Sequence, residues 1–189
     1  MERSISRGTM IGWIDARNLY TDFVTLNGDH PLAPYAQLQI GQCSLNQVRQ
    51  PSKDQTLTLQ AIRDLEAVER RWASSAYGYA ARSMSRQARA NLAESEFMVG
   101  RFYLKRKVYP GAIARFRRIV AGFPDYPETE KVLFHLAKAY RGDGNEAEAR
   151  AFLDKLLSNY PNGDYVARAQ KLLGSMAGVF EGDVGSSSE

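Results

Sequence analysis

An all-α fold of stacked helical hairpins is predicted by three observations: packing residues that recur at one fixed spacing, prolines placed where helices must end, and apolar stripes at helical period. Gly100, Tyr103, Ala112, Phe116 and Pro124 are followed 37 residues later by Ala137, Tyr140, Ala149, Leu153 and Pro161. Each position has a physical task. The small residue lets the second helix of a pair approach the first, and the alanine fills the reciprocal place on that second helix. The tyrosine plugs the space between one pair and the next. The proline ends the second helix, because it cannot donate to the helical ladder and pushes its predecessor out of the α region.

This is the tetratricopeptide pattern, and it implies hairpins stacked as a right-handed superhelix. Residues 1–12 read as an irregular N-terminus. Trp13, Ala16, Tyr20, Phe23 and Val24 then form a stripe at helical spacing, the second helix of an incomplete first hairpin over 13–30. Only mostly polar residues precede it, so the stripe lacks a partner helix. The expectation is a segment lost upstream, or a start assigned too late, since an unpaired apolar face at a solenoid end is unfavourable. Pro31 opens a hairpin over 31–75, with Gly41 at the small position and Ala61, Leu65 and Val68 on the second helix. Its turn, NQVRQPSKDQ, is lengthened, and Trp72-Ala73 stands where Phe123-Pro124 and Tyr160-Pro161 stand later.

The next step is anomalous. Between Ala76 and Gly100 lie 24 residues where the matching step from Pro127 to Ala137 takes ten, with neither proline nor turn signal in the excess. That predicts one long helix over 77–105, about four turns longer than normal, heading a unit that runs to 124. A hairpin over 126–161 comes after it, then a capping helix over 163–177 with Arg168, Gln170 and Lys171 on its polar side, and a disordered tail over 178–189. Within RGDGNEAEA, glycine ends one helix while Asn145 caps the next, with Glu148 three residues on.

Composition limits the function. The formal charge is only +4, but residues 77–120 carry ten Lys and Arg against Glu94 and Glu96, about +8, leaving about −4 elsewhere. A local basic surface favours acidic partners, peptide carboxylates or phosphate. The single Cys43 has no companion for a disulfide or a metal and reads as a small buried thiol. His30 and His135 have no ligand-spaced partners, no Ser-His-Asp set can be assembled, and no phosphate-binding glycine loop occurs. The expectation is therefore a non-enzymatic protein-binding scaffold with no cofactor and no metal. Proteins rather than nucleic acid are its expected partners. No apolar run approaches the ~20 residues of a membrane span, and MERSISRGTMIGW lacks the apolar stretch expected of a signal peptide.

First helices of such hairpins line the concave face. The positions expected to form a peptide or partner groove are Leu38, Gln42 and Asn46, then Phe97, Arg101 and Lys105, then Phe134, Lys138 and Arg141, each set sharing a helix face. The later two sets are alike, one aromatic followed by two cations. They suit an extended peptide whose apolar side chain lies on the aromatics and whose carboxylates meet the cations. The alternative is that Phe97 and Phe134 pack between repeats and the cations form a solvated face. Arg115, Arg117 and Arg118 read as outward and solvated.

With the repeats placed, 13–173 resembles the BamD family, the tetratricopeptide lipoproteins of the outer-membrane β-barrel assembly machinery. The most specific part is YGYAARSMSRQARANLAESEFMVGRFYLKRKVYPGAIARF, which looks like that family's long inter-repeat helix followed by the run Glu96, Val99, Gly100, Arg101, Phe102, Tyr103, Lys105, Arg106, Tyr109 and Ala112. HPLAPYAQLQIGQC also fits. The resemblance implies a scaffold on the periplasmic face of the outer membrane. It would contact the barrel-forming subunit's periplasmic domains, with unfolded outer-membrane proteins as a second class of partner. The family is anchored by a lipidated cysteine after a signal peptide; Cys43 lies inside a repeat helix and is no lipobox, so no such anchor is read in this sequence. Two other readings stand beside it: a periplasmic repeat protein similar to the CpoB family, which coordinates envelope processes, and a generic cytosolic repeat adaptor.

Overall fold

The structure is a computed structural model and describes residues 9–48 and 55–177. The readings made for 1–8, for 49–54 of the long turn and for the tail 178–189 lie outside the described residues. Within them the chain is all-α, in the order α1 Met10–Leu26, α2 Ala33–Asn46, α3 Thr56–Arg71, α4 Ala76–Lys105, α5 Tyr109–Gly122, α6 Thr129–Gly142, α7 Glu146–Asn159 and α8 Val166–Ala177. The long helix read from the missing turn signals is present as the 30 residues of α4. Two compact units divide within it, the first ending at Ser95 and the second beginning at Glu96.

In the first unit α1 packs on α2 and α2 on α3. Leu38, Leu65, Val68 and Ala81 form a buried cluster, with Trp72, Tyr77 and Met84 packed on its edge. Gly41 allows the close approach expected of it: a Cβ there would stand 2.7 Å from the Leu65 side chain. Arg17 of α1 ties three helices together, its Nε donating to Ser44 Oγ at 3.0 Å and a terminal nitrogen meeting Asp64 at 3.3 Å. Arg82 and Arg89 of α4 pair with Glu69 and Glu66 of α3. Cys43 is buried, as its place in the helical pattern predicts. The side of α1 away from these contacts keeps Ile11, Leu19 and Leu26 at 70%, 61% and 80% exposure.

The second unit repeats one design. Phe116 is fully buried against Gly100, where a Cβ would meet its ring at 2.6 Å. Burying such a side chain contributes about 2–3 kcal/mol. Ala112, Ala137, Ala149, Leu153 and Leu156 are buried in the same core, with Ile119, Leu133 and Leu136. Tyr140 stacks on Phe152 with ring centres 5.5 Å apart. Phe123 and Tyr160 each end a helix with the backbone N–H donating four residues back, to Ile119 and Leu156, and Trp72 does the same in the first unit. Asn145 caps α7 by accepting from the Glu148 N–H at 3.2 Å, as its spacing predicts. The Glu130 carboxylate accepts from the Asp164 and Tyr165 N–H groups at the start of α8.

The 37-residue register also aligns two turns of unequal chemistry. Gly144 has φ +83 and Lys107, 37 residues earlier, has φ 60. In both turns the next N–H reaches back across the helix end, Val108 to the Tyr103 carbonyl at 3.0 Å and Asn145 to the Tyr140 carbonyl at 2.9 Å. These are Schellman closures, which glycine makes without strain. A lysine there costs about 1–2 kcal/mol.

Candidate partner-binding site

The second unit holds an open cleft of about 800 Å³. Arg101 and Lys105 reach it from α4, Lys107 from the turn after α4, and Lys138 and Arg141 from α6. Helix period explains the first and last pairs, since residues three or four apart share a face. Among the described residues no carboxylate lines the cleft and none of the five cations is held in an ion pair. Lys105 and Arg141 also occupy the last turns of α4 and α6, where a cation is favoured by the helix dipole. Met98, Phe102 and Leu172 add apolar lining, and Met98 and Phe102 are 45% and 54% exposed.

Of the nine groove positions read from the sequence, the cleft gathers the four cations and omits the other five. Leu38 is a core residue, 9% exposed, because its face of α2 turns to α3 and α4 rather than to solvent. Gln42 is spent on Asn46 of the same helix, its amide donating at 3.1 Å. All three belong to the first unit. Phe97 is 1% exposed, against Phe116 and His135, and Phe134 is half-buried against Tyr165 at 5.2 Å. The Phe97 ring is therefore closed to a ligand, whereas that of Phe134 keeps part of its surface exposed. Each has a cation one turn on, Arg101 at 5.8 Å from the Phe97 centroid and Lys138 at 5.9 Å from that of Phe134, and Lys131 lies nearer still to the Phe97 ring, at 4.4 Å. In both sets the aromatic thus supports the head of the cation one turn on.

His135 also lines the cleft. Its Nδ1 lies 2.8 Å from the Lys131 carbonyl, and Phe97, Phe116, Phe134 and Tyr165 surround the ring. Burial pushes its pKa down, and Lys138, Arg101 and Lys131 push the same way against that carbonyl contact. The solvated reading of Arg115 needs correction, since it is half-buried and meets Glu96 at 3.0 Å; Arg118 is exposed, as read, yet also reaches Glu96 at 3.0 Å, and the two join α5 to α4. Arg117 is exposed.

Sequence reasoning missed Lys107 and the apolar residues Met98 and Phe102. The first was legible in the register with Gly144, which marks its backbone as left-handed. The others sit three to four residues from Arg101 and Lys105 on the same helix, and their exposure follows from α4 turning its buried side, Phe97 and Gly100, towards α5.

Fold and cleft together define the class: a tetratricopeptide-type repeat protein with an open, cation-lined cleft in one unit. The chain belongs to the YfiO family of outer-membrane lipoproteins, whose profile matches residues 13–152. It is similar to the outer membrane protein assembly factor BamD of Caulobacter vibrioides, 30% identical over 151 residues that make up 80% of this chain and 50% of that protein. The BamD protein of Rickettsia prowazekii is 34% identical over 83 residues, 44% of this chain and 33% of that one. The matches thus span about half or less of these relatives' length.

Proposed function

We propose that the chain is a non-enzymatic docking scaffold of outer-membrane β-barrel protein assembly, working at the periplasmic face of the outer membrane. It contacts the periplasmic domains of the barrel-forming subunit, and unfolded client proteins are a second class of partner. Family membership supports the process. The structural observation that carries the mode of action is the second-unit cleft, in which five cations face one space with no carboxylate among the described lining residues.

Cations gathered without partners repel one another, and a sequence that only needed solubility would intersperse carboxylates. Arg101 and Lys138 are instead held over the buried ring of Phe97 and the half-buried ring of Phe134, which restricts their heads before any ligand arrives. An acidic segment entering the cleft gains several charge contacts, each worth ~0.2–1 kcal/mol at an exposed site, while Met98 and Phe102 take an apolar side chain. Such a contact is salt-sensitive. Pull-down with purified periplasmic domains of the barrel-forming subunit tests the proposal: a complex is expected at micromolar concentration, and none at that concentration would sink it.

A further inference from the structure

The cleft takes in the last turns of α4 and α6, and α8 reaches it through Leu172. α6 and α8 begin side by side, joined by the Glu130 carboxylate and by the contact of Phe134 with Tyr165, and both reach the cleft, through Arg141 and Leu172. Lys105 and Lys107 stand at the finish of α4, and Gly142 leaves room for the ring of Tyr109 there. α8 ends at Ala177, five residues past Leu172, about 8 Å along a helix axis. The chain therefore leaves the last helix within about 8 Å of a residue that lines the cleft.

Beyond Ala177 the sequence continues as GVFEGDVGSSSE, residues 178–189, which lie outside the described residues. Glu181, Asp183 and Glu189 give three carboxylates with no Lys, Arg or His, and Val179 and Phe180 directly precede the first two acids. This composition is the complement of the cleft: an apolar side chain for Met98 and Phe102, then carboxylates for the cations. Twelve residues reach about 40 Å when extended, several times the distance from the end of α8 to the lining.

We propose that this acidic segment of the chain itself occupies the cationic cleft and competes there with external acidic partners. The inference rests on the proposed role of the cleft as a site for acidic segments. A tethered segment acts at an effective concentration near millimolar, so a weak intramolecular contact lowers the apparent affinity of an outside ligand by roughly tenfold without abolishing it. A partner with more carboxylates or a longer contact displaces it. The segment thereby screens the cations from weakly acidic polypeptides.

Two measurements on the full chain separate the parts of this proposal. Zero-length carbodiimide coupling of the dilute protein, followed by peptide mapping of the monomer-mass species, is expected to join Glu181, Asp183 or Glu189 to Lys105, Lys107 or Lys138, in a yield unchanged by dilution. No such link, or links only between copies or only to lysines away from the cleft such as Lys155, overturns the proposal. In the second, a hexaglutamate peptide is titrated into the full chain and into a full-chain variant carrying Glu181→Gln, Asp183→Gln and Glu189→Gln. The variant is expected to bind roughly tenfold more tightly. Equal affinities that are both lost on Arg101→Glu with Lys138→Glu overturn the competition and leave the cleft reading standing. Links to the cleft lysines without binding of the peptide to either form support the segment's docking and count against the external acidic partner.

Discussion

Replacing Lys107 by glycine should raise the stability of the second unit and weaken its binding of acidic ligands. Lys107 sits at φ 60, in a helix-ending turn whose counterpart 37 residues on uses Gly144 at φ +83. Holding an L-residue there costs about 1–2 kcal/mol, which glycine relieves. Glycine gives back about 0.5–1 kcal/mol through the greater freedom of its unfolded chain. The net expectation is a gain of about 0.5–1 kcal/mol, a rise in melting temperature of about 1–4 °C for a chain of this size. The same change removes one of five cations from the cleft, so affinity for hexaglutamate should fall about two- to fivefold, as for the loss of one exposed charge contact. Urea unfolding monitored by circular dichroism reads the first effect, and titration calorimetry the second. Lys107→Asn, which tolerates the left-handed backbone, should show the same binding loss with a smaller stability gain. A glycine variant less stable than the parent would refute the strain argument, and unchanged affinity would remove Lys107 from the site.

Gly100→Ala should destabilise the second unit by about 1–3 kcal/mol, because the new methyl meets the Phe116 ring; urea unfolding reads it, and adding Phe116→Leu should recover part of the loss. His135 has a pKa below its ordinary value in the folded chain, so below about pH 6.5 the unfolded state takes up a proton that the folded state resists. Stability should therefore be flat above that pH and fall as pH drops through it, and His135→Gln should flatten that part of the profile of urea midpoints. Cys43 is buried and its thiol pushed up by that burial, with Arg17 opposing. Under native conditions it should react with a thiol reagent far more slowly than in urea, and equal rates would show that the first unit opens readily.

Much of the fold was legible because helical hairpins advertise their packing. Gly41 and Gly100 were readable as close approaches, since only a missing Cβ admits Leu65 and Phe116. The long α4 followed from the absence of any breaker, and the Asn145 cap from its spacing to Glu148. The cleft was legible in its charges, while the burial of Phe97 was not. Spacing alone puts Phe97 and Arg101 on one side of α4, but one turn of a helix is wide enough to bury the ring and expose the guanidinium beyond it. Leu38 failed for a related reason: its face of α2 meets α3 and α4. The pairing of Arg115 and Arg118 with Glu96 was not legible because Glu96 lies on another helix, where no local pattern could pair them.

The central claim is that this chain docks acidic partners of barrel assembly through the second-unit cleft. Its most direct test is the affinity for the barrel-forming subunit's periplasmic domains, measured by titration at low and at physiological salt, for the parent chain and for Arg101→Glu with Lys138→Glu. The expected result is a complex that weakens as salt rises and is lost, or weakened more than tenfold, in the double variant while its helical content is unchanged. A complex equally tight in both forms, with no dependence on salt, would contradict it.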